Sequence, residues 1–176
     1  MQKENIILQN KNLVIAKVFY LSIFVATAVV APYFQNQLIT GSIVNALLFI
    51  SVIIMGVESA IVLCLVPSLI SLFTGLLPFA LAPVIPFIIM GNMILVFVFN
   101  KFRNPSTLLR ASNFWIASVS ATFLKFIFIW SVGMILANSV LQGISKPIMI
   151  MISWPQFATA LAGACIAYLF LKIIKR

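Results

Sequence analysis

The sequence predicts an all-α polytopic membrane protein, with six transmembrane helices and a Pro-rich broken hairpin between the third and the fourth. The first observation is composition: 64% of the 176 residues are hydrophobic and only 7% are charged, whereas about a quarter of a soluble domain is charged. The second is that apolar runs of roughly the length of a bilayer crossing recur along the chain. Together they predict one integral membrane domain over residues 1–176.

The first predicted span covers about residues 13–31. Residues 1–12 are polar and of mixed charge, which predicts a short cytoplasmic tail or an interfacial turn. Lys17 lies near the start of the span, where its long side chain reaches the headgroups. Ala26 and Ala28 resemble the small residues of a signal-peptide cleavage site, but the length of the apolar run favours a retained span.

The second and third predicted spans, about residues 42–55 and 58–73, follow an uncharged polar connection at residues 32–41. The second is short for a bilayer and requires thinned lipid or shielding by neighbouring helices. Gly56 lies between these two spans and predicts a tight reversal of the chain.

The Pro-rich stretch at residues 68–92 contains no charged residue. The residues that interrupt its backbone hydrogen bonding are Gly75, Pro78, Pro83 and Pro86. In a membrane, an interrupted backbone is tolerated only where protein or a water-filled cavity covers it. We therefore predict a broken re-entrant hairpin that leads into a fourth span at about residues 84–99. Asn92 is a polar amide inside that apolar run and indicates a binding site.

The fifth and sixth predicted spans cover about residues 113–137 and 150–174, separated by a polar connection at residues 138–149. The loop before the fifth span carries three basic residues, Lys101, Arg103 and Arg110. The amino-terminal region and the carboxy terminus also carry three each, and the other connections carry at most one. The positive-inside rule then places both termini in the cytoplasm, which requires an even number of spans.

Several function classes lack the residues that they need. The chain has no His, two acidic residues and two isolated cysteines, Cys64 and Cys165. Metal sites, iron–sulfur clusters, carboxylate pairs and Ser–His arrangements have no candidates, so we expect no cofactor, no metal and no enzymatic activity. A Ser–Lys pair that uses Lys125 is the formal enzyme alternative. The basic residues form no basic-aromatic stripe, so no nucleic-acid partner is expected.

Polar and aromatic side chains concentrate toward the predicted outer side of the membrane. The connections after spans one, three and five face outward, and spans two, five and six add groups in the outer leaflet. The candidate ligand-binding residues are Gln35, Asn36, Asn45, Trp130, Trp154 and Gln156. An outward-opening pocket with aromatic walls and a few amides is typical of a small-molecule site. The alternative is that the amides join neighbouring helices and that Trp favours the interface whatever the ligand.

Lys125 is a cation near the middle of the fifth span, where insertion costs at least about 2.5 kcal/mol. Three interpretations are open. Lys125 binds an anionic group of a ligand, or it pairs with Glu58 at the inner end of the third span, or it snorkels to the headgroups. Only the first makes it part of a binding site.

The topology and one local segment resemble a known family. Residues 67–92, PSLISLFTGLLPFALAPVIPFIIMGN, resemble the helix–loop–helix segment that helps to cap the ligand in the substrate-binding S components of energy-coupling-factor (ECF) transporters. Six spans with a basic loop between the fourth and fifth are similar to that family as well. The resemblance implies a bacterial plasma (inner) membrane location and a vitamin-like ligand near the outer face. The residues to which it gives ligand roles are Gln35, Asn36, Asn92, Lys125, Trp154 and Gln156.

The same resemblance implies partners. S components lie in the lipid bilayer, where they dock on a membrane T subunit that carries two cytoplasmic ATPases. Their first span often carries an Ala-x-x-x-Ala docking motif, to which Ser22-x-x-x-Ala26 is the nearest match here, and Ala158-x-x-x-Ala162 repeats the spacing in span six. Small residues four apart permit close helix approach whatever the partner.

The leading hypothesis is a substrate-capture subunit for the uptake of a small nutrient. Partner ATPases would energise it, because the chain has no Gly-rich phosphate-binding loop of its own. The alternative is a non-transporting interaction or assembly subunit whose polar residues serve helix packing. A capture subunit requires a solvated outward cavity that reaches Asn92 and Trp154, whereas in the alternative these side chains pack against facing helices.

Overall fold

The computed structural model describes residues 2–75, 79–104, 111–139 and 153–174, and these form α-helices and short 3-10 helices without any strand. The α-helices are α1 (Gln2–Val30), α2 (Gln37–Ile54), α3 (Val57–Phe73), α4 (Ile85–Phe102), α5 (Ala111–Ser139) and α6 (Trp154–Ile174). Five of these helices are long and apolar enough to cross a membrane. Helix α3, with 17 residues, is apolar but shorter. The all-helical membrane class is thereby confirmed, and the count of six spans stays a prediction.

Helix α1 is longer at its amino-terminal end than the sequence predicts. It runs unbroken from Gln2, so residues 2–12 are helical rather than a turn, whereas the apolar part that could cross a membrane begins at Leu13, as predicted. The physical reason is that no Gly or Pro precedes Pro32, and a helix already nucleated gains a backbone hydrogen bond with each added residue. Helix α1 ends where Pro32 lies in a 3-10 turn (Ala31–Phe34).

The turn between α1 and α2 is built by Gln35 and Asn36. Gln35 adopts the left-handed conformation, with φ of 52°, which lets the chain reverse. Asn36 Oδ1 accepts hydrogen bonds from the backbone amides of Leu38 and Ile39, at 2.9 and 3.4 Å. Asn36 therefore caps α2.

Helix α2 begins at Gln37 and has 18 residues, whereas the sequence predicts a second span over residues 42–55. The helix starts earlier because the Asn36 cap satisfies amides of the first turn, and this allows the uncharged polar residues 37–41 to join the helix. Helix α2 is long enough to cross a bilayer, so the expected need for thinned lipid disappears.

Replacing the cap residue is expected to destabilise α2. Asn36→Ala removes the oxygen that accepts both hydrogen bonds, and loss of a helix cap costs about 1 kcal/mol. The readout is the free energy of unfolding of the detergent-solubilised protein, measured by denaturant titration and circular dichroism. Asn36→Ser keeps a capping oxygen and is the matched control. Equal stability of Asn36→Ala and the wild type would contradict the capping role.

The reversal between α2 and α3 is as tight as predicted. Only Met55 and Gly56 separate the two helices. Gly56 has φ of 95°, a conformation that glycine adopts without steric cost. Its amide donates to the Ser51 carbonyl at 3.0 Å, which closes the end of α2.

The Pro-rich stretch interrupts the helices, as its composition predicts. Helix α3 ends at Phe73, and Gly75 follows with φ of 71°. A 3-10 helix (Phe79–Val84) then leads into α4, whose first turn contains Pro86. Residues 76–78, including Pro78, lie outside the described residues, so the broken hairpin as a whole stays a prediction.

Helix α2 lies at the centre of the bundle and packs against α1, α3, α4 and, most extensively, α6. The α2–α6 contact is close because Gly163 has no side chain. A Cβ atom there would lie 2.7 Å from Asn45 Cβ and 2.8 Å from the Ala46 nitrogen. Ala160 and Ala164 are buried in the same helix, and such small residues allow the two backbones to approach.

Three phenylalanines fill the core between α2, α4 and α5. Phe49, Phe99 and Phe114 are fully buried. The ring centroids are 4.8 Å apart for Phe49 and Phe99 and 5.6 Å apart for Phe99 and Phe114, both edge-to-face, an arrangement that adds to the energy of burial. On each of the three helices, the phenylalanine lies near the end predicted to face the cytoplasm. The polar residue of the same helix lies farther from that end, and these residues are Asn45 on α2, Asn92 on α4 and Lys125 on α5.

Candidate functional site: a buried lysine in the bundle core

Lys125 lies in the middle of α5, with only 2% of its surface exposed. Its Nζ atom donates a hydrogen bond of 2.7 Å to Asn45 Oδ1 on α2. Asn45 is also buried, and its Nδ2 atom donates to the Gly41 carbonyl at 2.8 Å. This second bond fixes the amide with its oxygen toward the lysine. The structure thus brings together two of the residues predicted to bind a ligand.

The Lys125 side chain packs against α4 at Gly91. A Cβ atom at Gly91 would lie 3.6 Å from Lys125 Cγ and 2.6 Å from Ile129 Cδ1. Because glycine has no side chain, α4 and α5 approach closely at this level and leave room for the aliphatic part of the lysine. Helices α2, α4 and α5 together therefore fix the position of the ammonium group.

Within the described residues, no acidic side chain neutralises the Lys125 charge. The chain contains two acidic residues, Glu4 and Glu58. Glu58 is exposed in the first turn of α3, and Glu4 lies at the start of α1. The structure therefore shows neither the pair with Glu58 nor a snorkelling lysine. A buried charge without a counter-ion costs several kcal/mol.

Two more polar groups lie in the same part of the core. Asn92 is 4% exposed, and within the described ranges no hydrogen bond from its side chain is present. Cys64 of α3 is a buried thiol. Cys165, by contrast, is exposed, because it lies on a face of α6 turned away from the bundle.

Two polar residues on the Lys125 face of α5 are not among the residues predicted to bind a ligand. Ser118 and Thr122 precede Lys125 by seven and three residues, a spacing that places all three on one side of a helix. Both are fully buried, and neither hydroxyl has a hydrogen-bond partner in the described part of the chain. The sequence contains the signal that would have identified them, which is this spacing of polar residues within an apolar span.

Most of the other predicted ligand-binding residues are exposed, whereas Lys125 is buried. The other predicted residues are Gln35, Asn36, Trp130, Trp154 and Gln156. The first two are exposed in the α1–α2 turn, and the two tryptophans are 49% and 61% exposed. Trp130 follows Lys125 by five residues, so it points about 140° away around the helix. Gln156 is half-buried in the first turn of α6. The four exposed residues thus do not join the lysine in the core.

The predicted docking residues are mostly on the outside of the bundle. Ser22 and Ala26 are exposed on α1, and the Ser22 hydroxyl donates to the Val18 carbonyl. On α6, Ala162 is exposed and Ala158 half-buried. An open apolar groove of about 490 Å³ lies beside α1, and its lining residues are Ala26, Thr27, Val30, Ala31, Phe34 and Ile43.

Comparison with protein-family models, with curated proteins and with solved structures finds no match for this chain. The chemistry of the site therefore follows from its own residues. The site comprises the ammonium group, the amide oxygen bonded to it and two hydroxyls without a partner among the described residues, so its formal charge is positive. In a medium of low dielectric constant, such a group attracts an anion strongly.

Proposed function

We propose that this protein is the membrane-embedded capture subunit of an uptake system for a small anionic nutrient. Lys125 binds the anionic group, and Asn45 and Asn92 orient the ligand. Helix α3 acts as the sixth span, both termini lie in the cytoplasm, and the membrane is a bacterial plasma membrane. This arrangement is similar to that of the S components of ECF transporters, and a vitamin-like acid is the expected class of ligand.

The observation that supports the proposal is the buried ammonium group without an acidic partner among the described residues. An ammonium group has three donors, of which one bonds to Asn45 Oδ1. A role in helix packing alone would not need a charge, because a neutral amide makes an interhelical hydrogen bond at a lower desolvation cost. An anionic ligand offsets that cost and explains why a cation lies at this position.

Uptake also requires energy from a partner. The sequence contains no Gly-rich phosphate-binding loop, so ATP hydrolysis is assigned to cytoplasmic ATPases that act through a membrane T subunit. The exposed small residues Ser22 and Ala26 on α1 offer a face that another helix can approach closely. Co-purification of an ATPase with the tagged protein from native membranes tests this partnership, and its absence would argue against it.

An acid that enters the site is expected to raise the melting temperature of the purified protein in detergent, because a ligand that binds only the folded state stabilises it by mass action. A panel of vitamins and nucleobase-like compounds, with and without a carboxylate, provides the candidates. Lys125→Met keeps the side-chain length and removes the charge, so it is expected to lose the response. Lys17→Met removes an exposed lysine and is the matched control. Trp154→Ala tests the predicted aromatic wall.

Two outcomes would oppose the proposal. One is a compound that stabilises the wild type and Lys125→Met equally, since its binding would not depend on the buried charge. The other is a panel in which no compound shifts the wild type, while Lys125→Met melts at a lower temperature than the wild type. The second outcome would identify Lys125 as a structural residue.

A second candidate function is a non-transporting assembly subunit. The Lys125–Asn45 hydrogen bond favours it, because bonds of this kind join helices within membranes. The variant Lys125→Met, which removes the buried charge, distinguishes the two functions. In an assembly subunit Lys125→Met loses stability, whereas in a capture subunit it loses the response to a ligand.

A further inference from the structure

Three hydroxyls in the described helices combine full burial with the lack of a hydrogen-bond partner among the described residues. The usual bond in these helices runs from the hydroxyl to the carbonyl four residues earlier, at 2.6 to 2.9 Å, and is made by Ser22, Thr27, Ser42 and Thr74. Ser51, Ser118 and Thr122 are fully buried and lack a partner in the described ranges. Buried polar groups are almost always hydrogen-bonded in native proteins. Their lack of a partner among the described residues therefore points to a bound group.

Two of the three lie on the face of α5 that carries Lys125. Thr122 and Ser118 are roughly 5 and 10 Å from Lys125 along the helix axis, toward the start of α5. A side chain in a helix is directed toward the helix amino terminus, so the lysine extends in the direction of these hydroxyls. Ser51 lies on α2, outside this face.

We propose that Ser118, Thr122 and Lys125 form one anion subsite, which takes the carboxylate of a small ligand. The inference rests on the proposed function, because it names the group by which the captured nutrient is held. Each of the three residues has a donor without a described partner, and a carboxylate offers two oxygens that accept several hydrogen bonds. Hydrogen bonds with an ionised partner are stronger than those between neutral groups.

The charge selects among the possible occupants. Water would satisfy the two hydroxyls but would leave the ammonium charge without a counter-ion. A phosphate dianion calls for more positive charge than Lys125 supplies, and Lys17, Lys101, Arg103 and Lys172, the other basic residues whose burial is described, are not buried. A singly charged carboxylate matches one ammonium and two hydroxyls.

Sodium formate is the probe, because it is the smallest carboxylate and carries no other group. Its effect on the melting temperature is compared with that of sodium gluconate at equal ionic strength, since gluconate carries the same charge on a polyhydroxylated chain, which is costly to bury in an apolar core. We expect formate to stabilise the wild type more than gluconate does. Thr122→Val and Ser118→Ala are each expected to weaken formate binding about tenfold, the effect of one hydrogen bond to a charged group.

Two further variants separate the subsite from general effects of hydroxyl loss. Thr122→Ser keeps a hydroxyl and is expected to keep most of the formate response. Ser51→Ala removes a hydroxyl that is equally buried and unpartnered among the described residues but lies on α2. It is the matched control and is expected to respond like the wild type.

The results that would overturn the subsite are distinct from those that would overturn the capture function. If Thr122→Val and Ser118→Ala both keep the full formate response, the two hydroxyls do not contribute to anion binding and the subsite is rejected. A capture function that depends on Lys125 would still stand. A wild type that melts equally in formate and gluconate also overturns the subsite, even where a larger acid binds through Lys125. If Ser51→Ala loses as much of the formate response as Thr122→Val and Ser118→Ala do, the loss is a general effect of removing a buried hydroxyl. That result would also reject the subsite.

Discussion

Gly163→Val is expected to lower the free energy of unfolding by about 3 kcal/mol, the upper end of the usual range for an overpacked core. A Cβ atom at this position would lie 2.7 Å from Asn45 Cβ, 2.8 Å from the Ala46 nitrogen and 2.9 Å from the Ser42 oxygen. Two of these are backbone atoms, which cannot rotate out of the way. Helices α2 and α6 must therefore separate, and their interface is the most extensive in the bundle.

The neighbouring residue gives a matched control for this prediction. Ala162→Val adds a similar bulk one position earlier, on a side chain that is exposed, and surface substitutions usually change stability by no more than about 0.5 kcal/mol. Denaturant titration of both variants in the same detergent measures the difference. Similar losses in the two variants would mean that α2 and α6 are not packed closely at Gly163.

Asn45→Leu is expected to destabilise the protein by about 3 kcal/mol, because it removes the described acceptor of the Lys125 ammonium group and leaves a buried charge unpaired. Leucine has nearly the shape of asparagine, so the packing against Gly163 changes little. Adding Lys125→Met removes the charge as well. The double variant Asn45→Leu/Lys125→Met is therefore expected to recover most of the lost stability.

A double-mutant cycle measures this coupling directly. The free energies of unfolding of the wild type, the two single variants and the double variant are compared, and contacting residues typically give interaction energies of about 0.5 to 3 kcal/mol. Effects of Asn45→Leu and Lys125→Met that simply add would show that the two side chains do not interact in the folded protein. Any change in stability that comes only from the shape of leucine at position 45 is the same in the single and the double variant, so it cancels in the cycle.

The sequence was most informative where one local property decides the structure. Composition alone predicts the membrane class, because a chain with so few charged residues cannot cover a soluble surface. Gly56 predicts the tight reversal, because its backbone conformation is local. Asn36, by contrast, is predicted to bind a ligand, and the contacts of its side chain in the structure are those of a helix cap. Side chains of this type cap helices as readily as they bind ligands.

The pairing of Lys125 with Asn45 could not be derived from the sequence, although each residue was identified by itself. The two are 80 residues apart, and their meeting depends on how closely α4 and α5 pack at Gly91 and α2 and α6 at Gly163. Such contacts are set by the register between helices, which hydropathy does not encode. The tryptophans were grouped by depth alone, whereas the angle of Trp130 around α5 turns it away from the lysine.

The 80-residue separation between Asn45 and Lys125 has a consequence for how the protein enters the bilayer. Synthesis proceeds from the amino terminus, so α2 is available in the membrane before α5 leaves the ribosome. A lysine at the centre of a lone helix costs at least about 2.5 kcal/mol to insert, and an amide already in place lowers that cost. The order of the helices along the chain is thus also an order of biogenesis, in which the acceptor is embedded before the donor arrives.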